Sequence, residues 1–170
     1  QIMKDLSGEE LVRTGFAVIQ DSIGRYLVVK ERKNKGWMIP GGTIEPYESL
    51  EEGVVREVLE ETGVSVVLTG LLCVERIEGE RRKRRFTFFG RPLGQDGVVK
   101  SWPDEHSEEA RWLSFQEAVE IGRHKGKDPI GSQGREGGWR RASAFSLIAF
   151  IEGGGRPRDL KALPRDRALI

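Results

Sequence analysis

Residues 41–64, GGTIEPYESLEEGVVREVLEETGV, leave the middle of this chain little freedom in how it folds. Ser49 can accept a free amide at the start of a helix, and Glu52, three residues on, can reach back to it. Gly63 stands where a helix C-terminal glycine belongs. Together these signals predict a helix over 50–62. On a wheel turning about 100° per residue, Glu60 and Glu61 fall within roughly 60° of Glu57. Gly53 shares that face one turn earlier. Glycine inside a helix costs about 1 kcal/mol relative to alanine, so a space requirement is expected there, set by whatever the carboxylates hold. Leu50, Val54, Val55, Val58 and Leu59 supply the apolar side of the helix. The helix therefore has a core face and an acidic face.

Carboxylates at i, i+3 and i+4 repel one another by some tenths of a kcal/mol per pair, so about that much must be compensated. A hard divalent cation does this well: Mg²⁺ takes oxygen ligands and binds carboxylates together with substrate phosphates. The alternative is a solvated acidic face with Arg56 as internal counter-ion. Spacing alone leaves both readings open.

The remainder of the chain bounds the class of protein. At 170 residues it suits one domain, expected over 1–153 and followed by a weakly structured tail, 154–170. Lys+Arg 28 against Asp+Glu 27 gives no global pull toward nucleic acid or membrane. No apolar run approaches the roughly 18 residues of a membrane span, and QIMKDLSGEE has no signal-peptide core, so a soluble chain is expected. It begins at Gln, which leaves an upstream targeting segment open. The one cysteine, Cys73 in LLCV, reads as a strand thiol and fits a reducing, cytoplasmic location.

Residues 14–20 (TGFAVIQ) and 26–30 (YLVVK) read as strands joined in a hairpin by the turn 21–24. Strands are expected over 65–76 and 86–91, flanking the basic run 81–85, and over 110–113. Ser114 and Glu117 repeat the capping box before a short helix ending near Gly122. The glycine-rich segment 126–138 reads as a loop, and 139–151 as a last helix. Strands mixed with two or three helices point to an α/β or α+β sandwich.

From Gly42 the acidic segment reads G-x5-E-x7-R-E-x2-E-E-x-G-V, with Glu48, Arg56, Glu57, Glu60, Glu61, Gly63 and Val64 in place. This resembles the Nudix box of the Nudix hydrolases, with every fixed position filled. The preceding strands and GWMIPGG extend the likeness over roughly 14–113. The resemblance implies an α-β-α sandwich around a mixed sheet and hydrolysis, with Mg²⁺ or Mn²⁺, of a diphosphate linked to another moiety, X. It assigns Glu57, Glu60 and Glu61 as metal ligands, with the base among them, and offers the Gly41 carbonyl as a further ligand. Arg56 would orient the carboxylates, and Glu48 would be a structural partner in the loop. A further acid outside the box is also implied, and Glu108 and Glu109, ahead of Trp112, are favoured over Asp104 and Glu105. His106 reads as a loop residue.

Outside the box the residues say less. FTFFGRPLG followed by an acid-rich stretch and A-x-W looks like the animal Nudix enzymes acting on 8-oxo-guanine nucleoside diphosphates. Phe86, Phe88 and Phe89 then offer a base-stacking ring or, alternatively, core. Arg84 and its neighbours in the basic run could bind a diphosphoinositol polyphosphate or an RNA 5′ end, or form an exposed hairpin tip. Lys30, Arg32, Lys33 and Lys35 offer contacts to substrate phosphates or, alternatively, solvate a loop. The partner expected is a small phosphorylated molecule, a nucleotide foremost, with RNA less favoured and no membrane. A Nudix fold used only as a binding module is the other class; the complete box favours an enzyme. Oligomeric state is not legible here.

Overall fold

The computed structural model describes residues 11–31, 36–77, 82–94, 98–100, 107–118, 151–154 and 158–159. The elements run β1 (Leu11–Ile19), β2 (Tyr26–Glu31), β3 (Gly36–Met38), β4 (Gly41–Thr43), α1 (Leu50–Thr62), β5 (Val66–Ile77), β6 (Arg82–Pro92), β7 (Ser107–Leu113) and β8 (Arg158–Asp159). Helix α1 has the expected ends. The Ser49 hydroxyl accepts the Glu52 amide and the Glu52 carboxylate accepts the Ser49 amide. Gly63 adopts φ 73°, and its N–H donates to the Leu59 carbonyl.

The strands form two sheets. The larger has the order β4-β1-β6-β5-β8, with β1 and β6 parallel and the other pairs antiparallel, so it is mixed as expected. The smaller, β3-β2-β7, is wholly antiparallel. The chain is therefore of the α+β class. Helix α1 lies on one face of the larger sheet, where Val54 and Val58 reach zero exposure among Ala17, Ile19, Phe86 and Phe88. Each such side chain contributes about 1.5–3 kcal/mol of transfer free energy. The opposite face carries a second cluster, Val18, Tyr26 and Ile39, against Phe16, Phe89 and Phe115.

The expected hairpin of β1 and β2 is corrected. The turn itself forms: buried Asp21 accepts the amides of Ile23 and Arg25 and the Arg25 guanidinium. Beyond a single Gln20–Tyr26 bridge, however, the strands part into different sheets. A turn fixes the reversal of the chain but not which neighbours take its hydrogen bonds. Here β4 and β6 take those of β1, while β3 and β7 take those of β2.

The basic run is corrected too. Residues 82–85 belong to β6 rather than to a hairpin tip, and Arg81 lies outside the described residues. Residues 115–118 are helical behind Ser114, whose hydroxyl accepts the Glu117 amide. Of the expected last helix only Ile151 falls among the described residues, and loop 126–138 lies outside them. Residues 158–159, within the segment expected to be weakly structured, pair with Gly70 and Leu71 at the sheet edge. Tyr26 also ties this region in, donating its hydroxyl to the Glu152 carboxylate at 2.6 Å.

Candidate active site

Arg56 organises the acidic face. Its Nε and Nη2 bind the two Glu48 oxygens at 3.1 and 2.7 Å, a bidentate pair. Its Nη1 donates to both Glu57 Oε1 and Glu60 Oε2, each at 3.1 Å, and Nη2 also reaches the Thr43 carbonyl. One guanidinium thus bridges three carboxylates and offsets part of their mutual repulsion. Its hydrogen bond to Glu48 is the main reason the Arg56 charge is held more firmly than an ordinary arginine's. The same bond holds the Glu48 carboxyl below the usual carboxylate range. Glu48 is nearly enclosed, its side chain 9% exposed, and its Oε1 also accepts the Glu45 amide at 2.7 Å. Arg56 thus touches Glu48, Glu57 and Glu60 at once, with Glu48 held on both the guanidinium and the turn backbone.

Glycines set how closely the acids approach the sheet. A Cβ on Gly42 would lie 2.5 Å from Glu57 Oε2, so the Glu57 carboxylate rests directly on the β4 backbone. Gly53 makes room as expected, but for different occupants. Its Cβ would meet Glu48 Oε1 and Ile44 Cδ1, each at 2.7 Å, so the space serves the Glu48 clamp and the core beneath it. Gly41, at φ 147°, donates its N–H to Glu61 Oε2 at 2.9 Å, which brings the third acid to the same strand.

The end of α1 is held from outside the helix. The last turn contains no basic residue, yet Lys100 Nζ donates to the Glu60 carbonyl at 3.2 Å and its N–H to the Thr62 carbonyl at 2.8 Å. A cation there complements the negative end of the helix dipole. The Ser107 hydroxyl donates to the Glu61 carbonyl at 3.2 Å and docks the start of β7 against the same turn.

The candidate residues beyond the box fare unevenly. Glu108 forms an ion pair with Lys30 at 2.8 Å, and Glu109 pairs with Arg111, whose guanidinium lies 5.1 Å from the Trp37 ring centroid. A register shift between Lys30 and Glu31, opposite 107–109, gives the two neighbouring acids different partners. Lys30 therefore reads first as the partner of Glu108. Phe88 is 2% exposed among the residues under α1, and Phe86 is equally enclosed. Base stacking by Phe88 is accordingly corrected to a core role, since stacking needs an accessible ring face. Phe89 sits half-buried on the opposite face. Arg84 stands in register between Arg13 and Arg76, two strands away from β4. Arg32, Lys33, Lys35, Asp104, Glu105 and His106 lie outside the described residues. The Cys73 thiol is pushed up by burial, which suits a packing residue.

The donor set suits a hard divalent cation: three carboxylates on one helical face, two of them seated against the β4 backbone. Among the described residues no three His, Cys, Asp or Glu side chains converge as a finished ligand cluster. Arg56 holds Glu57 and Glu60, and the Gly41 amide holds Glu61. A cation would share or displace these partners, and carboxylates have the lone-pair capacity to allow it. Sequence reasoning missed Arg13 and Lys100, because they reach the turn before α1 and the end of α1, respectively, from distant segments. Their only sequence signal is charge, which does not identify a partner.

Comparison with known proteins identifies the family. The Nudix-domain family model matches residues 11–132. Mouse 8-oxo-dGDP phosphatase NUDT18 is 37% identical over 102 residues, 57% of this chain and 30% of that protein. Mouse diphosphoinositol polyphosphate phosphohydrolase 3-alpha is 32% identical over 97 residues, 56% of this chain and 57% of that protein. Among solved structures, a Nudix hydrolase from Nitrosomonas europaea superposes with a TM-score of 0.66 at 25% identity, covering 92% of this chain and 97% of that one. The chain spans about half the length of the curated relatives it matches. With its complete box folded around Arg56 and its family match spanning β1 to β7, the chain belongs to the Nudix family.

Proposed function

We propose that this chain is a divalent-metal-dependent pyrophosphohydrolase that cleaves a diphosphate linked to a moiety X, foremost a modified purine nucleotide such as 8-oxo-dGDP or 8-oxo-dGTP. The observation that carries the hydrolase reading is the Arg56-centred array, which holds Glu57 and Glu60 on one side of α1 while Gly41 holds Glu61. Glu57, Glu60 and Glu61, with the Gly41 carbonyl, would hold Mg²⁺ or Mn²⁺. When bound, the metal neutralises diphosphate charge and lowers the pKa of a coordinated water. The chain's own residues supply the rest. Arg56 orients the carboxylates, and a glutamate of the face takes the proton of the attacking water. Glu108 or Glu109 would supply the further acid, since β7, which carries both, begins against the Glu61 turn.

The 37% identity to an 8-oxo-dGDP phosphatase supports the purine reading. A diphosphoinositol polyphosphate is the second reading, favoured by the in-register pair Arg84 and Arg76 and by the 32% identity to a phosphohydrolase of that class. RNA 5′ ends follow less directly, from the basic run alone. The complete acid set argues against a non-catalytic binding module. A cytoplasmic location belongs to this proposal through the half-buried free Cys73. Among the described residues, no helix is long and apolar enough to cross a membrane.

Phosphate and pyrophosphate release with Mg²⁺ across oxidised and ordinary purine nucleotides, ADP-ribose, diphosphoinositol polyphosphates and 5′-triphosphate RNA tests the substrate. An oxidised purine is expected to lead. Glu60→Gln and Glu61→Gln should each lower turnover by about 10²–10⁴-fold with folding retained. Survival of activity in both would overturn the metal-site reading.

A further inference from the structure

Arg13 lies in β1, well before the acidic helix, and belongs to no motif of the segment 41–64. Its Nη2 donates to the Glu45 carbonyl at 2.9 Å and to the Glu48 carbonyl at 3.3 Å. The Ile44 amide in turn donates to the Arg13 carbonyl at 3.0 Å. The turn 45–48 is thus fastened to the sheet by side chain and backbone of one residue. Within the turn the Glu48 carboxylate accepts the Glu45 amide, so fixing the backbone also fixes the carboxylate. That carboxylate occupies Nε and Nη2 of Arg56, which leaves Nη1 to be shared by Glu57 and Glu60. A continuous series of hydrogen bonds to charged groups therefore runs from β1 to the acidic face.

The placement has a cost. The same face of β1 is otherwise apolar further along, at Ala17 and Ile19, and both side chains are fully enclosed there. Burial lowers the Arg13 pKa, while Glu48 partly restores it. A partly desolvated guanidinium bonded to two carbonyls is a weak route to stability compared with a well-packed apolar side chain. Its effect is on where the turn, and hence Glu48, is held.

We propose that Arg13 is a positioning residue that sets the divalent-cation affinity of the acidic face, acting through Glu48 and Arg56. The proposal rests on the hydrolase reading above. Without Arg13 the turn loosens, and Glu48 no longer engages two of the three Arg56 nitrogens. Arg56 then turns its fork onto Glu57 and Glu60 and competes with a cation for their oxygens.

The test is a Mn²⁺ titration of the full chain without substrate, with free Mn²⁺ followed by electron paramagnetic resonance. Arg13→Met should weaken Mn²⁺ binding about tenfold, the scale seen when groups supporting metal ligands are removed. Arg13→Lys should fall between, because an ammonium keeps the charge without the planar fork. In a Glu48→Gln background, Arg13→Met should add nothing further, since both act through one path. If Arg13→Met does not fold, Arg13→Lys with and without Glu48→Gln carries the same comparison. Unchanged Mn²⁺ affinity in the Arg13 variants, or effects that simply add, would overturn the proposal alone. A wild-type chain that takes up no Mn²⁺ would overturn the hydrolase reading and this proposal together. Weakened uptake in a chain that hydrolyses none of the nucleotides would support the positioning role while overturning the substrate.

Discussion

Two clusters of like charge stand out in this chain, and folding treats them in opposite ways. The acids of α1 recur at three- and four-residue spacing, so the helix gathers Glu57, Glu60 and Glu61 onto one side, where Arg56 and the Gly41 amide hold them. The cations 82–85 are consecutive in β6, so the two-residue period of a strand divides them. Arg84 shares the α1 side with Arg13 and Arg76, while Arg85 turns to the other face. There it is 5% exposed, lies 5.1 Å from the Phe16 ring centroid and pairs with Glu75 at 3.6 Å. The same density of charge is gathered on one side of the helix, whereas the strand turns one of its cations into the interior. Backbone period, more than charge count, decides whether a run of charges can act together.

The sharpest way to break this contrast is at Arg85. If it is an interior residue, Arg85→Met alone should destabilise by about 3 kcal/mol, the low end for stranding one partner of a buried pair. Arg85→Met with Glu75→Leu should recover most of that loss. Denaturant melts of both variants check this; an Arg85→Met chain as stable as wild type would return Arg85 to the accessible basic surface. Gly53→Ala probes the acidic side. Helix propensity alone favours alanine by about 1 kcal/mol. The 2.7 Å approaches of Glu48 Oε1 and Ile44 Cδ1 to the new Cβ should reverse the sign, for a net loss of about 1–2 kcal/mol by thermal melting.

The smallest expected effect is a pH dependence at Glu48. Its folded pKa lies below the ordinary 4.5, chiefly through the Arg56 hydrogen bond. The stability it contributes is therefore fully present above about pH 4.5 and lost as pH falls through the folded value. The stability difference between wild type and Glu48→Gln should stay flat from neutral pH to about 5 and narrow below 4.5. A difference that widened on acidification would contradict the clamp.

Much of the site was legible because its signals are local. The capping box, the C-terminal glycine and the acid spacing all sit within one short segment, and α1 begins and ends where they predict. The pairing of β1 with β6 joins residues about seventy apart, as Thr14 with Arg85, and no local pattern announces such a partner. For the same reason the hairpin reading of β1 and β2 was misleading, and the short strands β3 and β4 went unread. Phe88 shows the same limit. An alternating aromatic strand has two faces, and only the packing of α1 determined which one was closed.

By itself, then, the sequence determined the helix, its two faces, the acid set and the family. Helical order depends on neighbours three or four residues apart, all present in the segment. Tertiary structure alone decided what Gly53 makes room for, which cations of the basic run are interior, and that Arg13 fastens the turn before the acidic helix while Lys100 holds its end. Those outcomes depend on which distant backbone arrives beside each residue, and that is settled only when sheet register and core packing are satisfied together.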